Sequence, residues 1–390
     1  MNTGEKAQGA YSFYEFFAGG GMARAGLGGA WTCLFANDFD RKKSCAYEEN
    51  WGTGVLKTAD VRTLVPADVP GRADLAWASF PCQDLSLAGI GAGLDGDRSG
   101  TFWSFWNLMV ALIGEGRAPS LIVLENVCGA LTSHDGKDFA AIGSAFQQAG
   151  YRFGAVVIDA ALFVPQSRPR LFMIGVRTDV YVPPDLLSFG ASAQWCPRAL
   201  SLAFNKLPVA VQENWSWWWL PPPPPSKVQF TDIIEDMPTG VAWHSQVETE
   251  RLLDMMNVVN RRKVEQAKRM GRRLVGTVYK RTRVEKNGSK AQRAEIRFDD
   301  IAGCLRTPAG GSSRLAILVV EGDVVKSRLI SSRETARLMG LPDAYVLPEK
   351  YNEAYHLTGD GVVVPVVRHL AEHLFESLLA AYKQTRAAAA

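Results

Sequence analysis

The chain has 390 residues, of which 47% are hydrophobic and 21% charged. This composition excludes a disordered protein and suits two or three domains, each with its own core. The net charge of +3 is small, so a polyanionic partner would have to bind a local basic patch. No apolar run approaches the ~20 residues of a membrane span, and the first residues, MNTGEKAQGAY, lack the apolar core of a secretory signal. Six scattered cysteines show no metal-ligand spacing, and we expect a cytoplasmic protein with reduced thiols and no metal.

Short apolar runs alternate with helix-like stretches through the first 185 residues. Six strands are predicted, at Ser12–Phe17, Thr32–Asn37, Leu75–Ala78, Leu121–Leu124, Ala155–Ile158 and Leu171–Val176. Four helices are predicted, at Met22–Leu27, Arg41–Asn50, Phe102–Leu112 and Lys137–Ala149. This alternation indicates the α/β class with a parallel, doubly wound sheet.

The pattern changes after about Tyr181. A tryptophan-rich stretch, which we interpret as core, leads into Pro221–Pro225, which must be extended polyproline II. Between Arg251 and Asp300 there are 15 Lys and Arg residues against 6 Asp and Glu residues, which indicates a separate basic domain. An isolated charge run of this kind is also typical of a solvated helix face. Val362–Leu374 is predicted to be a closing amphipathic helix.

A glycine turn, FFAGGG at 16–21, follows the first predicted strand. Glycines allow a close backbone approach, and the following helix start offers free N–H groups to a ligand. Asp38 lies at the end of the second strand, 19 positions after Gly19, where a doubly wound fold places a carboxylate against ribose hydroxyls. The turn indicates an adenosine-containing cofactor, either NAD or S-adenosylmethionine, and Phe39 can cover an adenine face.

Three further stretches place reactive side chains at strand ends. Cys82 follows Leu75–Ala78 and precedes a glycine-rich loop, whereas the other cysteines suit buried positions. Glu125 ends another strand and is expected beside Cys82 at the same sheet edge. Arg168 and Arg170 lie two positions apart at the start of a strand, so they are expected to point the same way; the alternative is a pair of solvated surface charges.

In order, the motifs FFAGGG, ASFPCQ, LENV and PQSRPR resemble those of the DNA cytosine-5 methyltransferases found with bacterial restriction–modification systems. Two later blocks, RLISSRETARLMGLPD at 328–343 and LTGDGVVVPVV at 357–367, extend the resemblance. The blocks span Phe13 to Leu374, nearly the whole chain. Any one of them is weak evidence, but six in the right order are specific.

The resemblance implies a role for each matching residue. Cys82 would be the nucleophile that adds to cytosine C6, Glu125 would contact N3 and the exocyclic amine, and Arg170 the base O2. Asn126 would order the nucleophile loop, and Arg168 would support the site. The residues implied to bind the cofactor are Phe17, Ala18, Gly19, Gly21, Asp38, Phe39, Asp60, Val61, Phe80, Pro81, Asp360 and Val362. The residues expected to contact DNA are Gln83, Ser86, Arg98, Gln166, Arg272, Arg273, Lys280, Arg281, Gly310 and Gly311.

The implied cofactor is S-adenosyl-L-methionine, with S-adenosyl-L-homocysteine as product and no metal. The implied architecture is a Rossmann-like methyltransferase domain at residues 1–185 and 351–390, with a smaller target-recognition domain inserted at 186–350. The implied partner is double-stranded DNA with one cytosine flipped out of the helix. Enzymes of this kind can act alongside a cognate restriction endonuclease for the same site, and the sequence does not indicate whether one exists here. A monomer in the bacterial cytoplasm, at the nucleoid when bound to DNA, is expected.

Two positions depart from the family pattern. Asp360 stands where Asn is usual, which adds a negative charge near the cofactor, and Ala88 replaces a hydroxyl residue that many relatives carry. The residues leave two alternatives open: an RNA-directed relative that modifies a tRNA cytosine, and a DNA-binding regulator without catalysis. The target sequence and the base that removes the C5 proton are not indicated by the sequence.

Overall fold

The computed structural model describes residues 9–81, 101–284, 288–307 and 314–389. Two compact units are formed. The first unit combines the described parts of 1–159, 169–223 and 362–390, and the second unit combines 160–168 and 224–361. Within the described residues, no helix is both long and apolar enough to cross a membrane.

The first unit is built on one seven-stranded sheet with the order β3-β2-β1-β4-β5-β7-β6. The strands are β1 (Tyr11–Phe16), β2 (Trp31–Asp38), β3 (Leu56–Thr58), β4 (Leu75–Ala78), β5 (Leu121–Val127), β6 (Tyr151–Asp159) and β7 (Pro169–Arg177). Strands β1 to β5 pair in parallel. The strand order reverses beside β1, as in other doubly wound sheets, which confirms the predicted fold class.

Strand β7 differs from the prediction of a parallel sheet. It pairs antiparallel with both β5 and β6. Only the nine residues 160–168 separate β6 from β7, which is shorter than a parallel crossover requires. The amino end of β7 therefore lies at the sheet edge where β5 has its carboxyl end.

Helices cover both faces of this sheet. They are α1 (Met22–Leu27), α2 (Arg41–Trp51), α3 (Thr101–Gly114), α4 (Lys137–Gln148), α5 (Arg198–Phe204) and α6 (Val209–Glu213), followed near the C-terminus by α12 (Val364–Leu370) and α13 (Glu376–Ala389). Alternate strand residues enter opposite cores: Tyr14 and Phe16 pack with Phe105 of α3, whereas Trp77 faces Phe375. Burial on both faces explains why these strands have continuous apolar sequences.

The tryptophan-rich stretch packs within the first unit, which continues to Pro223 rather than ending at the predicted 185. β6 is an edge strand. The Trp195 carbonyl accepts a hydrogen bond from the Val157 N–H, and the Ser216 N–H donates to the Phe153 carbonyl. These bonds satisfy backbone groups that an edge strand would otherwise expose. Within the stretch, Trp218 is 2% exposed and Trp215 and Trp217 pack against the core, in agreement with the interpretation as core, whereas Trp219 is 45% exposed.

The second unit contains a four-stranded antiparallel sheet with the order β11-β10-β8-β9. Its strands are β8 (Leu274–Val284), β9 (Lys290–Arg297), β10 (Ala316–Glu321) and β11 (Val324–Leu329). Its helices are α7 (Phe230–Ile233), α8 (Gln246–Asp254), α9 (Val258–Arg269), α10 (Ser332–Leu338) and α11 (Tyr351–Asp360). The basic segment is therefore one helix followed by two long paired strands, and not simply a solvated helix face.

The closing helix begins and ends later than predicted. Instead of one helix over Val362–Leu374, α12 starts at Val364, a π-helical segment occupies Ala371–Phe375, and α13 continues to Ala389. The return to the first unit begins at Val362, eleven residues after the predicted boundary at 351. Pro365 lies in the first turn of α12, where its missing N–H costs nothing.

The contact of α1 with α12 depends on the absence of a side chain at Gly26. A Cβ atom there would lie 2.4 Å from the Val367 Cβ and 2.7 Å from the Val364 carbonyl oxygen. We expect Gly26→Ala to lower the free energy of unfolding by ~1–3 kcal/mol through overpacking, as measured by denaturant unfolding. Gly29→Ala is the control, because nothing lies within 4 Å of its Cβ position. Equal stability of the two variants would contradict this account of the contact.

Candidate active site

The glycine turn after β1 has an unusual backbone. Phe17, Gly19 and Gly21 all have positive φ, at 56°, 56° and 77°. For Phe17 this left-handed conformation costs on the order of 1–3 kcal/mol, and such strain is concentrated at functional sites. A Cβ at Gly19 would meet no atom within 4 Å, whereas one at Gly21 would lie 2.3 Å from the Trp51 ring nitrogen. Gly19 therefore borders open space, and Gly21 is required for packing.

Asp38, at the end of β2, holds the turn in place. One carboxylate oxygen accepts the Gly19 N–H at 2.8 Å, and the other accepts the Asp40 N–H at 2.8 Å. Burial raises the pKa of the Asp38 carboxyl, although both backbone N–H groups and Lys43 act in the opposite direction. The neighbouring Phe39 is 70% exposed. The sequence prediction thus placed a buried hydrogen-bond acceptor and an exposed aromatic ring next to the turn.

A buried network that the sequence analysis missed lies beneath this turn. Glu15 is 1% exposed and accepts the Arg24 backbone N–H at 3.3 Å and the Tyr47 hydroxyl at 3.5 Å. Arg24 donates to the same hydroxyl at 3.1 Å and lies over the Trp51 ring. Trp51 in turn donates to the Gly20 carbonyl at 3.0 Å. Glu15 thus supplies the side-chain cap that Gly21 cannot give to α1.

One signal in the sequence could have revealed this network. Glu15 is the only charged residue in β1, whose other members are Tyr, Ser and Phe. A charged residue in a strand buried on both faces needs partners. Burial raises the pKa of Glu15 to about 8, although the Arg24 and Tyr47 contacts oppose that rise.

The other residues implied to bind the cofactor have varied surroundings. The Asp60 carboxylate caps a short 3₁₀ turn and pairs with the Arg62 guanidinium at 2.5 Å. Val61 and Phe80 are buried, at 5% and 3% exposure, and Ala18 is 8% exposed. Pro81 is half-buried. In the described residues Asp60 therefore already has a cationic partner.

Glu125 and Arg170 form an ion pair at the carboxyl edge of the sheet. The Arg170 Nε lies 3.2 Å from a Glu125 carboxylate oxygen, and the two side chains are 16% and 9% exposed. Glu125 is near the end of β5, and Arg170 is the second residue of β7, opposite Val127. The alternative of solvated surface charges is therefore wrong for Arg170.

Asn126 connects β5 to the segment that follows β4. Its side-chain amide donates to the Phe80 carbonyl at 3.2 Å, and its carbonyl oxygen accepts the Val127 N–H at 2.8 Å. Both groups are buried. The Phe80 carbonyl is two residues before position 82, so Asn126 fixes the chain directly ahead of the predicted nucleophile.

Arg168 and Gln166 lie in the second unit and are 2% and 0% exposed. The Arg168 guanidinium donates to the carbonyls of Leu305, Gly359 and Gly361 at 2.8–2.9 Å. The Gln166 amide donates to the Leu338 carbonyl and accepts the Leu305 N–H. The structure therefore gives Gln166 a structural role instead of the predicted DNA contact, because burial and these bonds occupy its amide. Arg168 and Arg170 have separate partners, contrary to the expected shared direction.

Asp360 ends α11 in the second unit, and its carboxylate accepts a hydrogen bond from the Thr307 hydroxyl. Val362, the first residue of the returning chain, is 4% exposed in the first unit. The hydrogen bond gives the Asp that replaces the usual Asn a partner within its own unit.

The predicted DNA contacts in the second unit fall on two elements. Arg272 and Arg273 are exposed in the turn before β8, and Arg273 pairs with Asp236 at 2.5 Å. Lys280 and Arg281 are neighbours within β8, so they point to opposite faces. The predicted site residues Cys82, Gln83, Ser86, Arg98, Gly310 and Gly311 lie outside the described residues.

Within the described ranges, no group of three or more His, Cys, Asp and Glu side chains can hold a metal ion, and no disulfide joins Cys33, Cys45, Cys128, Cys196 or Cys304.

Known proteins share this α/β fold. A solved Entamoeba histolytica methyltransferase, EhMeth, shares it with a TM-score of 0.62 at 14% identity, over 94% of this chain and 98% of that one. The family model for C-5 cytosine-specific DNA methylases matches residues 11–376, and the chain belongs to that family. The Type II methyltransferase M.BsuFI of Bacillus subtilis is 24% identical over 96% of this chain and 74% of its own length. M.HhaI of Haemophilus parahaemolyticus is 24% identical over 94% of each chain.

The reaction is therefore methylation of cytosine at C5 in DNA. The sequence-based prediction of the family and of the enzyme class is confirmed.

The buried Glu15 gives stability a specific pH dependence. The folded protein holds this proton up to about pH 8, whereas an unperturbed Glu releases it near 4.5. Its contribution to the free energy of unfolding is therefore greatest below pH 4.5 and falls by up to ~1.4 kcal/mol per unit as pH rises towards 8. We expect Glu15→Gln to remove this part of the decline, as measured by thermal unfolding between pH 5 and 8.

Glu49→Gln, at an exposed position of α2, controls for the change in net charge. An unchanged pH profile in Glu15→Gln would show that the carboxyl is ionised throughout this range and would contradict the assignment.

Proposed function

We propose that the protein transfers a methyl group from S-adenosyl-L-methionine to C5 of a cytosine flipped out of a specific duplex DNA sequence, through a covalent bond between Cys82 and C6. The observation that carries the proposal is the Glu125–Arg170 ion pair at the carboxyl edge of the sheet, next to Asn126, which binds the Phe80 carbonyl. These residues match the family motifs that contact the target base. Asn126 binds the segment that leads to Cys82.

The residues around the glycine turn fit an adenosyl cofactor. Asp38 offers buried acceptor oxygens for ribose hydroxyls, Phe39 offers an exposed ring for the adenine, and Gly19 borders open space. When bound, the cofactor supplies an electrophilic methyl group on a sulfonium. The protein's own residues must then orient the cytosine and activate it.

Cytosine C5 is a poor nucleophile until the ring loses aromaticity. Addition of the Cys82 thiolate to C6 forms a C–S bond and makes C5 electron-rich, and the developing negative charge spreads to N3 and O2. A proton shared between the Glu125 carboxyl and N3 would neutralise this charge, while the carboxyl also accepts a hydrogen bond from the exocyclic amine and Arg170 faces O2. After methyl transfer, loss of the C5 proton returns the electrons that expel the thiolate.

The pairing of Glu125 with Arg170 bears on how these groups act. The guanidinium fixes the carboxylate at the strand end and partly neutralises it. A buried carboxylate without such a partner would be costly. The cytosine and the Glu125 carboxylate would therefore meet in a fixed geometry, which removes the entropic cost of orienting a free side chain.

DNA would be held by the second unit. The target atoms lie inside the base stack, so the cytosine must be flipped out at a cost of a few kcal/mol. The basic segment of the second unit supplies cations for phosphates. In this proposal the first unit is the catalytic domain, the second unit is the target-recognition domain, and the protein acts as a monomer.

The biological role rests on the relatives. Type II methyltransferases such as M.BsuFI and M.HhaI are named after restriction–modification systems. We infer that this chain protects its host DNA at one sequence, alongside an endonuclease that cuts the same sequence. The expected location in the bacterial cytoplasm stays a prediction.

The proposed reaction is tested by incubating the protein with methyl-labelled S-adenosylmethionine and duplex DNA. We expect label on cytosine C5 with the wild type and none with Cys82→Ala, because no other group forms the bond to C6. Cys196→Ala is the matched control, since that thiol is buried beside α5 in the first unit. Label on tRNA but not on DNA would instead support the RNA-directed alternative, and no label on either would leave only DNA binding.

A second experiment examines the covalent step. DNA with 5-fluorocytosine at the target position has no C5 proton to lose, so the thiolate cannot leave after methyl transfer. We expect a stable protein–DNA adduct that survives denaturation with the wild type and is absent with Cys82→Ala. Methylation of normal DNA without any adduct would contradict addition at C6.

A further inference from the structure

Strands β8 and β9 continue to pair with each other beyond the point where β10 stops pairing with β8. Strand β10 pairs with β8 only from Leu274 to Val278, whereas β9 continues along β8 as far as Val284. Residues 279–284 and 290–295 therefore form a two-stranded antiparallel projection, here called the basic ribbon. A two-stranded ribbon is one of the two elements that fit into the major groove of B-DNA.

The basic ribbon has a charge pattern that does not serve folding. It contains five cations against one carboxylate, Glu295; the cations are Lys280, Arg281, Arg283, Lys290 and Arg293. Arg281 lies directly opposite Arg293 in the strand register. Like charges at directly opposed positions destabilise a strand pair. A polyanion bound at this surface would attract both arginines and so offset their mutual repulsion.

The arginines share one face of the ribbon. Residues 279, 281 and 283 alternate with even-numbered residues and lie opposite 295, 293 and 291. The even-numbered face carries Val278 and the opposed Ile296 into the core beneath α9. The arginine face points away from that core, and the Arg281 and Arg283 side chains are 45% and 52% exposed.

Glu295 holds two arginines of this face, Arg281 and Arg283, in defined positions. Arg283 donates to it through two guanidinium nitrogens, and the Arg281 Nε lies 3.8 Å away. The Arg281 guanidinium also lies 4.8 Å from the centre of the Tyr279 ring. Burial raises the pKa of Glu295, but the hydrogen bonds from Arg283 and Tyr279 outweigh it and leave the pKa lowered. The carboxylate is therefore ionised at neutral pH and keeps the guanidinium groups preorganised.

Other basic residues of the second unit have acidic partners close to them. Arg261 pairs with Asp254, Lys268 with Glu265, and Arg273 with Asp236. Each of these pairs balances one charge with another at the surface, so these residues contribute little local excess charge. The basic ribbon keeps an excess of four positive charges on its twelve described residues, with one carboxylate for three arginines on a single face. Helix α9 carries the same excess, but its residues do not form a two-stranded ribbon.

We propose that the arginine face of the basic ribbon reads base edges in the major groove, with Arg281 and Arg293 as donors to guanine and Glu295 as the residue that positions Arg281. The inference rests on the proposed function, since it names the surface that would select the DNA sequence. Opposed residues have Cβ atoms ~5 Å apart, and successive base pairs are ~3.4 Å apart. Two arginine forks at this spacing reach neighbouring or next-neighbouring base pairs.

The experiment measures sequence preference rather than activity alone. A duplex library with randomised flanks around a cytosine is methylated under single-turnover conditions, and 5-methylcytosine is located by bisulfite sequencing. The wild type is expected to favour one sequence that contains G·C pairs beside the target. In Arg281→Gln and Arg293→Gln, the rate ratio between that sequence and its single-base variants should fall ~10-fold or more at one position.

Two further variants distinguish base reading from phosphate binding. Arg281→Lys keeps the charge but loses the bidentate fork. If Arg281 reads a base, this variant should lose discrimination as Arg281→Gln does. If Arg281 contacts a phosphate, the lysine should restore wild-type behaviour. Glu295→Gln should also lose discrimination and bind non-target DNA more tightly, because a negative charge is removed. Lys326→Gln, at an exposed position of the opposite edge strand β11, should retain the wild-type preference.

The proposal is overturned if the arginine variants lower the rate on all sequences by the same factor, or if Arg281→Lys restores discrimination. It is also overturned if the preference is unchanged in all of them. Thermal unfolding of each variant shows that it is folded. Failure of the proposed function gives a different result, because the wild type itself then forms no 5-methylcytosine in any member of the library.

Discussion

The reversed direction of β7 is the constraint on which the candidate site depends. Glu125 lies at the carboxyl end of β5, and Arg170 lies at the amino end of β7. These ends meet only because the two strands are antiparallel. In an all-parallel sheet Arg170 would lie at the opposite edge, about the length of a strand away from the carboxylate. One short connection, 160–168, therefore determines whether the ion pair can form.

That ion pair also carries an energetic condition. Both side chains are largely buried, and removal of one partner from a buried pair costs ~3–5 kcal/mol because the other charge is left uncompensated. The first unit therefore keeps a carboxylate at a partly dry strand end only while the guanidinium is present. Beneath the neighbouring glycine turn the same problem is solved differently. The Glu15 carboxyl bonds a backbone N–H and a hydroxyl, and burial raises its pKa so that it retains a proton to higher pH.

Much of the first unit could be predicted from the sequence because its signals are local. The apolar runs gave β4 exactly and β1, β2 and α2 to within one residue at each end. The direction of β7 was missed because apolar periodicity contains no information about strand direction. The length of the connection before β7 does contain that information. Strands β8 and β9 were missed since their arginines conceal the alternation, and only the face towards α9 is apolar.

The candidate site likewise contains residues that the sequence predicted and residues that it did not. Asp38 was found because its spacing from the glycine turn reflects the geometry of a βαβ unit, and the turn does receive a hydrogen bond from its carboxylate. Glu15 was missed because its partners Arg24 and Tyr47 are distant in sequence. Motif resemblance placed Glu125 and Arg170 in one site although the parallel-sheet prediction would have separated them. The structure resolves that conflict in favour of the motif.

The stretch 165–170 shows why adjacency in sequence does not imply a shared task. Gln166 and Arg168 use their side chains to bind backbone groups of residues 305, 338, 359 and 361, which fixes three distant segments of the second unit. The chain enters β7 at Pro169, and Arg170 binds Glu125 in the first unit. A change at Arg168 acts on packing in the second unit, since its donors satisfy buried carbonyls. A change at Arg170 acts on the carboxylate that faces the target base in the proposed reaction. Both residues are arginines in the same short motif, so their sequence does not distinguish their roles. The difference comes from their surroundings: backbone carbonyls surround Arg168, and a carboxylate lies beside Arg170.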